Sequence, residues 1–206
     1  EALRAAQVAF FSTVNHQLRS PLNGVLGATS QLHHLPGLDP AAKDLVARLQ
    51  GATRGLESVV ADVLDFTALS GGRLALRSAP FAAAGLLAGF DALIAARLPP
   101  GQRFAVDVAV EEGLGELVGD RDRVLQAVAN LVIDAIEAAP GGRVELRARA
   151  REPSGLRVEI HDRRPALSHE AQARLFDPYA VAAAPTAEGL PSAGLRLPLS
   201  RALVEA

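Results

Sequence analysis

The stretch FFSTVNHQLRSPLNGVLG, residues 10–27, places a histidine inside an amphipathic helical pattern. Apolar residues recur in steps close to three and four between residues 3 and 32, which predicts a helix with one apolar face. His16 lies two positions after Val14 and two before Leu18, and both of these belong to that face. At about 100° per residue, the imidazole is therefore expected to point away from the apolar face, toward solvent.

A second helix is predicted after the turn HLPGLDP, residues 34–40, where Asp39 can cap the helix that follows. This helix is expected to end at SGG, residues 70–72. Its apolar positions form a heptad-like stripe: Leu45, Leu49, Ala52, Leu56, Val59 and Val63. Two helices with one apolar stripe each cannot enclose a core alone, so we predict a homodimer in which two hairpins form a four-helix bundle.

The pattern changes after Gly72 to short alternating segments, which are typical of strands. These segments are RLALRS (73–78), RFAVDVAV (103–110), VELRARA (144–150) and LRVEI (156–160). Helical patterns lie between them, at 81–97 and 121–138. We therefore predict an α+β fold: a dimerising hairpin at residues 1–70, followed by an α/β sandwich at residues 80–206 that is C-terminally incomplete.

Composition excludes several classes of function. The chain has 206 residues and a net charge of -2, with 21 basic and 23 acidic residues, so neither nucleic acid nor an anionic membrane is an expected partner. It contains no cysteine and no apolar run of the roughly 20 residues needed to span a bilayer. We expect a cytoplasmic location and, because methionine is absent even at position 1, a fragment of a longer protein.

The stretch around His16 resembles the phosphoacceptor box of sensor histidine kinases. It keeps these family positions: Phe10, His16, Leu18, Arg19, Pro21, Leu22 and Asn23. Pro21 is informative because proline within a helix removes a backbone hydrogen bond and tends to kink it. The resemblance implies that His16 accepts a phosphoryl group, with Arg19 beside it and Ser20 where the family positions water for dephosphorylation. Gln17 stands where the family has the acidic residue that deprotonates the histidine, and an amide cannot take that proton.

The segment GDRDRVLQAVANLVIDAIEAAPGG, residues 119–142, resembles the nucleotide-binding helix of the same family. It keeps Asp120, Arg123, Gln126, Asn130 and Ala135. Gln126, Asn130, Asp134 and Glu137 share one helix face by spacing, and we expect that face to look at the nucleotide. The resemblance implies that Asn130 would help to hold Mg²⁺, whereas Asp134 and Glu137 replace an asparagine and a basic residue.

Two further nucleotide motifs are altered. In the resemblance to the pattern D-x-G-x-G, Asp162 is the retained adenine-recognising residue, and Arg164 and Ala166 occupy the glycine positions. Glycine permits positive φ and close approach of the backbone to a ligand, which these side chains oppose.

The last glycine-rich motif is also reduced. Gly194 is the retained glycine of three, and Arg196 stands at another of these positions. The preceding segment, residues 180–193, carries neither lysine nor arginine where relatives have a lid over ATP. We therefore expect no cofactor, with ATP and Mg²⁺ bound only if the nucleotide site still functions.

Three functions remain open. The leading hypothesis is a histidine phosphotransferase or pseudokinase of two-component signalling, which relays phosphate between His16 and the aspartate of a receiver domain. The alternatives are an active ATP-dependent sensor kinase with an unorthodox site, and a dimeric scaffold that binds a receiver domain or a kinase. The remaining histidines lack metal-ligand partners and are interpreted as structural or surface residues: His33, His34, His161 and His169.

Overall fold

The computed structural model describes residues 20–98, 102–138, 140–151, 155–178 and 194–206. Its first part is a helical hairpin, with helix α1 at residues 20–33 and helix α2 at Pro40–Ser70. Asp39 caps α2 as predicted, because its carboxylate accepts a hydrogen bond of 2.6 Å from the backbone N–H of Ala42. Pro40 follows at the start of the helix, where its missing N–H costs nothing.

The second part is a two-layer arrangement of helices and strands, which confirms the predicted α+β class. In chain order its elements are β1 Ala79–Ala82, α3 Phe90–Arg97, β2 Ala105–Val110, β3 Glu116–Gly119, α4 Arg121–Ala138, β4 Arg143–Ala150, β5 Leu156–Asp162, α5 His169–Arg174 and α6 Arg196–Glu205. Strands β1 and β3 pair antiparallel. The larger sheet has the order β2-β4-β5, with β2 parallel and β5 antiparallel to the central β4.

The core of this second part lies between helix α4 and the larger sheet. Strand β4 alternates strictly, and Val144, Leu146 and Ala148 are buried while their neighbours are exposed. Helix α4 contributes a buried face to the same cluster, including Val132 and Ile136. Packing this face on β4 fixes the position of α4, and hence of the polar side chains along its other edge.

The structure corrects part of the predicted strand and helix pattern. RLALRS, residues 73–78, is not a strand: Leu74 packs with α2 and α6, and the N–H of Arg77 donates to the Asp120 carboxylate at 2.9 Å. The predicted helix at 81–97 is shorter, because a strand and a 3₁₀ turn precede Gly89, which has a φ of 73°. Strands as short as β3, and the six-residue helix α5, carry too few residues to show a periodicity.

Large apolar side chains stay exposed along the hairpin. They are Val25, Leu32, Leu35, Leu45, Leu49 and Leu56. The described part of the second domain therefore leaves this stripe uncovered. Among the residues described, no helix is both long and apolar enough to cross a membrane.

Candidate functional site

The predicted phosphoacceptor stretch is only partly described. His16, Gln17 and Arg19 lie outside the described residues, so their geometry is not part of the structure. Ser20 is the first described residue of helix α1, and it is exposed. It follows His16 by four positions in the sequence, which is about one helical turn.

Helix α4 carries the predicted nucleotide face. Asn130 is 2% exposed, and its amide oxygen accepts a hydrogen bond of 3.2 Å from the Arg97 guanidinium on α3. Its amide nitrogen is buried and has no hydrogen-bond partner among the described residues. Because a buried polar atom without a partner is costly, this nitrogen points to a place where a ligand or water could bind.

Arg164 pairs with Asp162, the residue to which the resemblance assigns adenine recognition. Its guanidinium forms an ion pair with the Asp162 carboxylate and a second one with Asp134 on α4, at 2.9 Å. The three side chains are between 14% and 25% exposed. Burial disfavours the charged guanidinium, but hydrogen bonds to both carboxylates outweigh it and raise the pKa of Arg164. The residue at the first altered glycine position therefore fills the place beside Asp162.

A second arginine pairs with the acidic end of the face. Nη1 of Arg196, at the start of α6, lies 2.8 Å from both carboxylate oxygens of Glu137. Glu137 stands where the family has a basic residue and Arg196 where it has a glycine, and the arginine compensates the negative charge that Glu137 introduces. The sequence predicted Glu137 on the face toward the nucleotide, and in the structure its carboxylate is paired with Arg196.

Gly194 lies two positions before the first residue of α6, next to its N-cap Leu195. It is buried, and its φ of 61° is in the left-handed region that favours glycine. The retained glycine therefore has a conformational reason to be there.

Gln126 does not join the nucleotide face. Its amide nitrogen donates to the Asp65 carboxylate of α2 at 2.8 Å, and Arg123 donates to the same oxygen at 2.6 Å. Asp120 caps the start of α4, where hydrogen bonds from the backbone N–H groups of Arg77 and Arg123 lower its pKa. These motif positions serve the joint between the two parts of the chain.

Sequence reasoning missed Arg97, because no motif includes it and α3 is 33 positions away from Asn130. It also missed the pairing of Arg196 with Glu137. The sequence did carry a signal for this pair, because Glu137 and Arg196 both depart from the family pattern and carry charges of opposite sign. Within the described ranges, no three acidic or histidine side chains form a group that could hold a metal ion.

Comparison with known proteins defines the class of both parts. Residues 6–72 match the His Kinase A (phospho-acceptor) domain, and residues 119–206 match the histidine kinase-, DNA gyrase B- and HSP90-like ATPase domain. A phosphoacceptor hairpin followed by such an ATPase domain is the arrangement of a sensor kinase core. The chain belongs to the two-component histidine kinase family, of which these two domains form the catalytic core.

The relatives are consistent with this family. The chain is 30% identical over its whole length to the sensor histidine kinase GacS of Pseudomonas protegens, covering 23% of that protein. It is 29% identical over 95% of its length to the signal transduction histidine-protein kinase BarA of Escherichia coli, covering 22% of it. It thus spans less than a quarter of these curated relatives. Among solved structures, full-length ShkA in complex with AMPPNP has a TM-score of 0.71 and 28% identity, over 96% of this chain and 40% of ShkA.

Proposed function

We propose that this chain relays phosphoryl groups through a phosphohistidine at His16, to or from an aspartate of a receiver domain, without ATP-dependent autophosphorylation. The proposal rests on one observation above all, the double ion pair of Arg164 with Asp162 and Asp134. An adenine that used Asp162 would have to displace the Arg164 guanidinium from that carboxylate, and the second ion pair, with Asp134, helps to hold the guanidinium there. As these side chains are arranged in the structure, they do not fit ATP. The proposed reaction therefore does not use ATP.

The proposed reaction is a direct exchange between two side chains. An imidazole nitrogen of His16 attacks the phosphorus of a receiver acyl phosphate, and a new N–P bond forms as the P–O bond to the carboxylate breaks. The aspartate leaves as a carboxylate, and the ring nitrogen that did not attack gives its proton to solvent. The reverse step transfers the phosphoryl group to a second receiver. Gln17 is no obstacle to this reaction, because an acyl phosphate is a better donor than ATP and the attack needs no strong base.

We assign supporting roles to the two polar neighbours of His16. Arg19 can neutralise charge on the transferred group, and Ser20 can position a water molecule for hydrolysis of the receiver phosphate. Asn130, Asp134, Asp162 and Gly194 are then the remains of a nucleotide site. Asn130 would be the ligand to Mg²⁺ if the site still bound nucleotide.

We further propose that the working form is a cytoplasmic homodimer. The exposed leucines on α2, such as Leu45 at 63% and Leu49 at 48%, support this proposal, because a second hairpin would remove them from water. The partner of the phosphohistidine would be one or more receiver domains.

The two alternatives to a relay are an active kinase and a scaffold. An active ATP-dependent kinase is favoured by the matched ATPase domain, by the retained Asn130 and Asp162, and by Arg196, which could turn from Glu137 toward a phosphate. ShkA, which has a similar fold, has a solved structure in complex with AMPPNP. A scaffold without transfer activity would use the hairpin alone.

The test is incubation with labelled ATP and, separately, with a labelled phospho-receiver, followed by detection of acid-labile label on the chain. We expect label from the receiver only, and we expect His16→Ala to abolish it while the dimer persists. His33→Ala is the matched control, because it removes another histidine of the hairpin, and it should keep the label. Strong labelling from ATP that depends on His16 would support the kinase instead. If neither donor labels the chain, the result would support the scaffold hypothesis.

A further inference from the structure

The last two turns of α2 pack directly against the second domain. An apolar cluster joins Phe66 and Leu69 of α2 to Leu199 and Leu203 of α6. Leu199 and Leu203 are 0% and 8% exposed, so α6 buries apolar surface at this contact, together with Ala127 of α4. We call this contact, residues 62–69 of α2 against α3, α4 and α6, the docking joint.

The polar side of the docking joint contains two carboxylates. Asp65 has hydrogen-bond partners, whereas Asp62 is buried beside it. Asp65 accepts hydrogen bonds from Arg123 and Gln126 of α4, as described above. Asp62, one turn earlier, is only 7% exposed. The charged groups that act on it are Arg97 of α3 and Arg196 of α6, which favour its ionised form, and Asp65 of its own helix, which opposes it.

Burial is the largest of these influences. It outweighs the attraction of both arginines and raises the pKa of Asp62 from 3.8 to about 6. A cavity of about 430 Å³ borders the carboxylate and connects it to the surface. It is lined by Leu22 of α1, by Arg54 and Glu57 of α2, by Arg97, and by Gln126 of α4. The cavity gives protons a route to a carboxylate that is otherwise enclosed.

We propose that Asp62 makes the docking joint sensitive to pH: its protonated form strengthens the packing of the second domain on α2, and its ionised form weakens it. This control is separate from the choice of phosphate donor and would apply to a relay or a kinase.

The direction of the effect follows from linkage. In the docked state the carboxyl has the raised pKa of about 6, and for the undocked state we take the ordinary value of a solvated aspartate, 3.8. Docking is therefore strongest below about pH 4 and weakens as the pH rises through 6, with the loss nearly complete at about pH 7. Between pH 5.0 and 7.5 these two values give a decrease of about tenfold in the docking equilibrium constant.

The absence of cysteine makes a thiol-labelling test possible. Leu203→Cys places a single thiol in the docking joint, and Val204→Cys places one at the next position, where the side chain is 75% exposed. Both are labelled in the full chain with dithiodipyridine, which reacts at acidic pH. The labelling rate of the Leu203→Cys variant is divided by that of the Val204→Cys variant. This ratio cancels the intrinsic pH dependence of the thiol and reports how often the docking joint opens.

We expect this ratio to rise about tenfold from pH 5.0 to 7.5. Asp62→Asn, and Asp62→Ala as a second variant, should give the same low ratio at both pH values. Asp44→Asn makes the same change at an exposed position of α2 and should keep the tenfold rise. A ratio that does not change with pH in the unsubstituted background, or that still rises in a folded Asp62 variant, would overturn the proposal.

Discussion

Replacement of Arg164 by glycine restores the residue that the family pattern places two positions after Asp162. It should lower the stability of the folded state and at the same time raise the affinity for adenine. The substitution removes both ion pairs of the guanidinium, with Asp162 and with Asp134. The folded state should lose stability because two carboxylates are left without their partner. The adenine position should become free for the same reason.

The size of the effect can be bounded from the geometry. Hydrogen bonds to charged groups contribute about 1.5–3 kcal/mol each, and exposed ion pairs only about 0.2–1 kcal/mol. The three side chains are 14–25% exposed, so we place the whole contribution near the middle, at about 2 kcal/mol. At about 1.4 kcal/mol for each factor of ten, this amounts to roughly 30-fold in binding. The same energy should lower Tm by about 4–8 °C for a chain of this size.

The ligand for this test is adenosine, measured by calorimetric titration. Adenosine carries no phosphate, so its affinity reports on the Asp162 position and not on Glu137 or Arg196. Arg163→Gly is the matched control, because it changes the neighbouring exposed arginine and adds the same backbone freedom. Arg164→Gly should bind adenosine more tightly than Arg163→Gly and unfold at a lower temperature. Equal adenosine affinity in the two variants would refute the reasoning that Arg164 blocks the site.

Three further predictions test other contacts. Leu49→Glu places a charge on the uncovered stripe of α2 and should convert a dimer to a monomer in light scattering; a dimer of unchanged stability would place the interface elsewhere. Glu137→Gln frees Arg196 and should tighten inorganic triphosphate binding about tenfold in titration, and no change would mean that Arg196 does not reach the phosphates. Asp65→Ala and Arg123→Ala should show a coupling of about 1 kcal/mol in a double-mutant cycle by denaturant unfolding, whereas additive effects would contradict the contact at 2.6 Å.

The sequence predicted the elements whose pattern is local and long. Helix α4 was predicted at 121–138 and is found at Arg121–Ala138, because its apolar positions repeat over five turns. The cap of α2 by Asp39 was predicted from residue types alone, since it needs only a side chain three positions before its donor. The phosphoacceptor stretch around His16 was recognisable for the same reason, as a contiguous motif.

Whether the charged residues at the nucleotide motifs have partners could be decided only by the tertiary structure. The sequence showed that Arg164, Glu137 and Arg196 depart from the family pattern, but not that each has found a partner. These contacts join residues 30 to 59 positions apart, on elements whose relative placement depends on the packing of α4 against β4 and α6. Charge compensation is a property of distances in space, and periodicity within one helix or strand carries no information about them.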